Sequence, residues 1–132
     1  MDKHNSKSNN LIITFSNDFY KFYYALSLAS TLKATGKDVS IFISGYACHF
    51  IKKNWQEYDK EGINEKLKKK KMGSIVEMFA YCKELEVEIF YCESAIEFLN
   101  INTKEITNLV SIKSKSMYSV LNFYKEGEIT FI

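Results

Sequence analysis

Three cysteines, Cys48, Cys82 and Cys92, are the side chains of this sequence whose setting points to covalent chemistry. Cys92 closes an apolar run, Val87 to Tyr91, and stands two residues before Ser94-Ala95-Ile96-Glu97. That tetrad has the form of a capping box, in which hydroxyl and carboxylate satisfy opposite amides of a helix start. Amides at a helix start stabilise an anion, so a thiol there ionises more readily, while the adjacent carboxylate of Glu93 opposes the effect. Two readings fit Cys92: a nucleophilic or sulfur-carrying thiol, and a small apolar residue that merely closes a strand. Cys48 follows a second apolar run, Val39 to Ile43, in a position to resolve a persulfide or sulfenate formed on Cys92. Packing beneath its loop is the alternative. Cys82 falls on the apolar stripe of a helix and reads as core. His49 reads as a solvated imidazole or as a base for a thiol. Three scattered cysteines with His4 and His49 have neither the pairing of a disulfide scaffold nor the spacing of a zinc site.

The elements that must hold these residues follow from hydrophobic spacing. Residues 1–10 are polar and read as a disordered lead-in to one domain spanning 11–132. Leu11 to Phe15 is a nearly continuous apolar run, the pattern of a strand buried on both faces. Ser16-Asn17-Asp18 supplies turn and cap chemistry, and Phe22, Ala25, Leu26, Ala29 and Leu32 then recur at helical spacing up to a stop at Gly36. After the Val39 to Ile43 strand comes a short helical segment with Cys48 and His49. Residues 53–71, charged and ending in the run Lys68 to Lys71, read as a solvated excursion outside the core. Ser74 to Glu77 forms another capping box, and Ile75, Met78, Phe79, Cys82 and Leu85 line one helical face. Asn102 to Asn108 offers one helical turn. Leu109 to Ile112 is expected as a fourth strand, Met117 to Tyr124 as a last helix stopped by Gly127, and Glu128 to Ile132 as a fifth strand.

Strands alternating with helices imply right-handed βαβ units and a three-layer α/β/α sandwich on a mainly parallel sheet. In such sheets ligands bind over the strand C-termini. Three loops meet that edge: Ser16-Asn17-Asp18, Ser44 to His49, and Cys92-Glu93-Ser94. Ser16, Asn17, Glu93 and Ser94 are therefore the supporting residues around Cys92.

Composition narrows the partners. All 18 basic residues are lysine, and the net charge is +2. Without arginine the chain lacks bidentate guanidinium recognition of phosphate, carboxylate or guanine. Neither nucleic acid nor an anionic membrane is expected. No run approaches the ~18 apolar residues of a membrane helix, and free thiols suit a reducing cytoplasm. The five glycines form no phosphate-binding loop. Nine tyrosines and ten phenylalanines are many for this length, so Tyr20, Tyr23, Tyr24 and Trp55 are candidates for a subunit contact, or for the monomer core.

The stretch Val87-Glu88-Ile89-Phe90-Tyr91-Cys92-Glu93-Ser94-Ala95-Ile96-Glu97-Phe98-Leu99-Asn100-Ile101 resembles a motif of the DsrE/DsrF-like superfamily: a strand ending in Cys, then a short helix. It is most similar to the small proteins labelled "predicted peroxiredoxin" and to the sulfur-relay subgroup. The opening Leu-Ile-Ile-Thr-Phe-Ser strand, Ile41-Phe42-Ile43 and the closing Gly127 to Ile132 fit the same pattern. The resemblance implies a five-stranded sheet with helices on both sides, and assembly as trimers or hexamers. It also implies that Cys92 is a relay thiol for intracellular sulfur, accepting a persulfide from a rhodanese or passing it to a carrier of the TusA type. That chemistry needs no metal or organic cofactor. Peroxidase activity is not expected: peroxiredoxins use Thr-x-x-Cys with an arginine, whereas Ile89 occupies the threonine position and arginine is absent. A non-catalytic oligomeric binding module and a thiol redox sensor are the competing functions.

Overall fold

A computed structural model describes residues 9–132. Five strands, β1 (Asn9–Thr14), β2 (Asp38–Ile43), β3 (Glu88–Cys92), β4 (Ile112–Lys115) and β5 (Glu128–Phe131), form one sheet in the order β4-β3-β2-β1-β5. Every pairing is parallel. The helices are α1 (Phe19–Ala34), α2 (Ile63–Lys69), α3 (Ile75–Glu84), α4 (Glu93–Phe98) and α5 (Met117–Phe123). The connections from β1 to β4 step one way across the sheet, and the β4–α5–β5 connection returns across its full width. Right-handed crossovers then require α5 to lie on the face opposite α1 and α3. The expected α/β/α architecture is present, with helices on both faces.

The core explains the apolar runs. Leu11 to Thr14 and Val39 to Ile43 are buried throughout, as both faces of a covered parallel strand must be. Phe22 lies against Phe50 and Phe79 at centroid distances of 5.4 and 6.0 Å. Burying each such ring contributes roughly 1.5–3 kcal/mol. On the opposite face, Ser40 on β2 shares a buried hydrogen bond with the Tyr124 hydroxyl just past α5. This bond ties the last helix to the sheet centre. Asp18 caps α1 by accepting from the Lys21 amide, and Ser74 with Glu77 completes the expected capping box of α3.

Four expectations are corrected. Residues 1–8 of the expected lead-in lie outside the described residues, but Asn9 and Asn10 already pair in β1 with Asp38 and Val39. The excursion at 53–71 is anchored, with Trp55 and Leu67 buried and Trp55 stacked 5.6 Å from Phe19. Asn64 accepts the Ile75 amide at 2.8 Å. Its helical pieces are too short to show a periodic apolar face. The fourth strand begins at Ile112, three residues later than its apolar run suggests, because an edge strand half open to water needs no apolar run. Helix α4 begins at Glu93 with Cys92 itself at the N-cap position, so Ser94 is not the cap. No helix among the described residues is long and apolar enough to cross a membrane.

Gly127 enters β5 where an added Cβ would collide with the Asn9 carbonyl oxygen of the neighbouring strand. Backbone cannot yield as a side-chain tip can. Gly127→Ala is expected to destabilise the fold by about 1–3 kcal/mol, read as a lowered urea midpoint. An unchanged midpoint would mean that β5 does not depend on this close approach.

Candidate functional site

The parallel register assembles the site. Ile43 pairs with Tyr91, so Ser44, the next residue, falls level with Cys92, and Cys92 pairs in turn with Lys115. Side chains alternate along a strand, which puts Phe42, Ser44, Phe90 and Cys92 toward the face that α5 covers. The Ser44 amide donates to the Thr14 carbonyl at 2.9 Å, locking the end of β2 to β1. Cys92 then turns straight into α4.

Cys92 is only 2% exposed, yet its surroundings are polar. Its sulfur lies 3.2 Å from the Ser94 hydroxyl. Burial pushes its pKa up, but hydrogen bonds from the Ser94 hydroxyl, the Ala95 amide, the Ser44 hydroxyl and the Ser94 amide outweigh it. The result is a thiol below the ordinary range. Ser94, freed from capping, serves the sulfur. Glu93 turns its carboxylate to β4, where it accepts from the Ser114 hydroxyl at 3.4 Å.

Cys48 reaches the same neighbourhood from the 3-10 helix Gly45–Ile51 that follows β2. It meets the backbone of Cys92, receiving a hydrogen bond from the Cys92 amide, while its own thiol donates to the Ile43 carbonyl at 3.5 Å. Burial, reinforced by the charge of Cys92, pushes it up to about 12. Cys82, on the α1-facing side of α3, donates to the Leu26 carbonyl and is likewise pushed to about 12 by burial. Neither Ser16 nor Asn17 is among the hydrogen-bond partners of the sulfur. The Ser16 hydroxyl accepts from the Asp18 amide at 3.0 Å, and Asn17 lines a separate cleft beside α1. The residues that spacing alone does not single out are Ser44 and the Ala95 amide. Pairing the ends of β2 and β3 as parallel neighbours is the signal that would find Ser44.

His49 is only partly buried, but it is not simply solvated. It stacks on Tyr58 at 4.2 Å with a 7° interplanar angle, and faces Tyr46 at 6.5 Å. Burial, and then the charge of Lys52, hold it below the usual imidazole range. Among the described residues no three His, Cys, Asp or Glu side chains converge as a metal site.

The linkage between ionisation and stability has opposite signs in the three cysteines. Cys92 ionises more easily folded than unfolded, so it adds stability above the ordinary thiol pKa, and this is lost as pH falls through its folded value. Cys48 and Cys82 add stability below the ordinary value, lost as pH rises toward about 12. Removing the nearest donor should be visible directly. In Ser94→Ala the pH midpoint of Cys92 alkylation is expected to move upward, with a slower rate at neutral pH, in mass-resolved iodoacetamide kinetics. A midpoint that stays or falls would show that this hydroxyl does not favour the thiolate.

A model of the DsrE/DsrF-like family matches residues 11–131. No curated protein matches the chain. Among solved structures, the YchN protein from E. coli is 12% identical with a TM-score of 0.69, over 96% of this chain and 99% of that one. BT1422 of Bacteroides thetaiotaomicron, described as a conserved protein of unknown function, is 15% identical with a TM-score of 0.70, over 99% and 100%. MTH1491 of Methanobacterium thermoautotrophicum, also described as of unknown function, is 10% identical with a TM-score of 0.62, over 95% and 97%. At these identities the likeness establishes a common fold.

Proposed function

Because the chain belongs to the DsrE/DsrF-like family, we propose that it carries sulfane sulfur as a persulfide on Cys92. The observation that carries this reading is the donor nest at the end of β3, in which the Ser94 hydroxyl lies 3.2 Å from the Cys92 sulfur and hydrogen bonding holds the thiol pKa down. Such a nest stabilises a thiolate, which is the attacking species in sulfur exchange. In the forward step the Cys92 thiolate attacks the outer sulfur of a donor R–S–SH. The donor S–S bond breaks, a new S–S bond forms on Cys92, and R–S⁻ leaves and takes up a proton. In the return step an acceptor thiolate attacks the outer sulfur and Cys92 leaves as thiolate. A rhodanese is a donor of suitable chemistry and a TusA-type carrier a suitable acceptor, in a reducing cytoplasm. Neither step needs a metal or an organic cofactor. Cys48, whose thiol is held up to about 12, stays protonated at neutral pH and is a poor resolving nucleophile in the folded chain.

The 2% exposure of Cys92 favours the competing reading, a non-catalytic oligomeric binding module. The two separate cleanly. Polysulfide treatment of native protein is expected to add about 32 Da, one sulfur atom, at Cys92, and to leave Cys92→Ser, Cys48 and Cys82 unmodified. Absence of the adduct, with Cys92 alkylating no faster than in unfolded chain, would leave the binding module.

The chain is proposed to work as a homo-oligomer, trimer or hexamer. Tyr118 is 78% exposed, Phe123 71% and Phe131 63%, and Phe131 stacks on the half-exposed Phe15 at 4.7 Å. Large apolar rings gathered on α5 and the open edge strand β5 form the kind of surface that subunits cover. Light scattering is expected to give a multiple of the 15.4 kDa chain mass, falling toward the monomer in Phe123→Glu. A wild-type monomer at all concentrations would remove the oligomer.

A further inference from the structure

A cleft of about 530 Å³ opens beside the N-terminus of α1, between the 3-10 helix Gly45–Ile51 and the turn that enters α2. It lies over the C-terminal ends of β1 and β2, where open α/β sheets bind ligands, and Cys92 is not among its lining residues. One wall is the stack Tyr46–His49–Tyr58, in which Tyr46 is half exposed. His49 Nδ1 is buried and has no hydrogen-bond partner. A buried bare lone pair is tolerated more often than a buried unpaired N–H, so the proton belongs on Nε2, the ring nitrogen left in contact with solvent. His49 thereby offers a donor to the cleft. The other walls supply acceptors. Asp18 and Asp59 are held by amides of α1 and α2 and keep further lone pairs, and Glu61 brings a third carboxylate against the ammonium groups of Lys60 and of Lys52, which lies over Tyr58 and pairs with Glu105.

The half-exposed Tyr46 ring, one donor and an excess of carboxylate together select a small molecule with a flat ring, an acceptor on that ring and an ammonium group. We propose that this cleft is a binding site for a small aromatic amine, with the ring against Tyr46 at the open end of the stack and the ammonium toward Asp18, Asp59 and Glu61. The site is independent of the sulfur-transfer reading.

Tyramine is the probe, and the His49 ring cross-peaks of the full chain are the readout, assigned by comparison with His4→Gln. Tyramine is expected to shift the His49 signals saturably, with half-saturation at or below about 1 mM. p-Hydroxyphenylacetate, with the same ring and opposite charge, and butylamine, with the charge and no ring, should each bind at least about tenfold more weakly. Tyr46→Ala and Glu61→Gln alter side chains at the cleft mouth and should each weaken tyramine severalfold. The proposal is overturned by any of three results: no saturable shift up to about 10 mM tyramine, equal binding of the anion, or tyramine affinity unchanged in both variants.

Discussion

The parallel pairing of β2 with β3 is the constraint on which the sulfur site rests. Pairing Ile43 with Tyr91 sets Ser44 beside Cys92 and brings two strands to a common end. A slip of one residue would send Ser44 and Cys92 to the opposite faces of the sheet. The register is held by side chains far from the sulfur. Val39, Ile41, Phe42 and Ile43 are all buried, so every alternative alignment would drive apolar surface into water or polar groups into the core.

Three identical side chains in this fold meet two electrostatic fates, set by the balance of burial against hydrogen bonding. Burial pushes both Cys48 and Cys82 up to about 12, and at Cys48 the charge of Cys92 adds to it. Cys92 is less deeply buried, its neighbours are donors, and the balance reverses. Each pKa unit corresponds to about 1.4 kcal/mol, comparable to one hydrogen bond to a charged group, so a few donors suffice to overcome desolvation. This is also why Ser94 is more useful beside the sulfur than as a helix cap. With Cys92 at the N-cap position, the first amides of α4 reach the sulfur as well.

The 3-10 helix Gly45–Ile51 links the two sites. Cys48 on it receives the Cys92 amide, while Tyr46, His49 and Phe50 line the tyrosine cleft. The expected reading of 53–71 as a solvated excursion outside the core fails for the same reason that the cleft exists. Trp55 and Asn64 pin this segment to α1 and α3, and the turn between them, with Tyr58 and Asp59, closes the far wall. Of the proposed contact aromatics, Tyr23 and Trp55 are core, Tyr23 donating to the Met72 carbonyl, whereas Tyr20 and Tyr24 stay half exposed.

Local chemistry alone determined a good deal here. Apolar runs buried on both faces marked β1, β2 and β3, capping residues marked the starts of α1 and α3, and the alternation of elements implied the layered α/β architecture. Those features are written in neighbouring residues, because strand burial and helix capping act over a few positions. Only the tertiary structure decided that Ser44 serves Cys92, that Cys48 meets its backbone, that β4 begins at Ile112, and that Asn17 belongs to a different opening. Each of these depends on which strands lie side by side and how they are aligned, and such long-range pairing leaves no mark in local spacing.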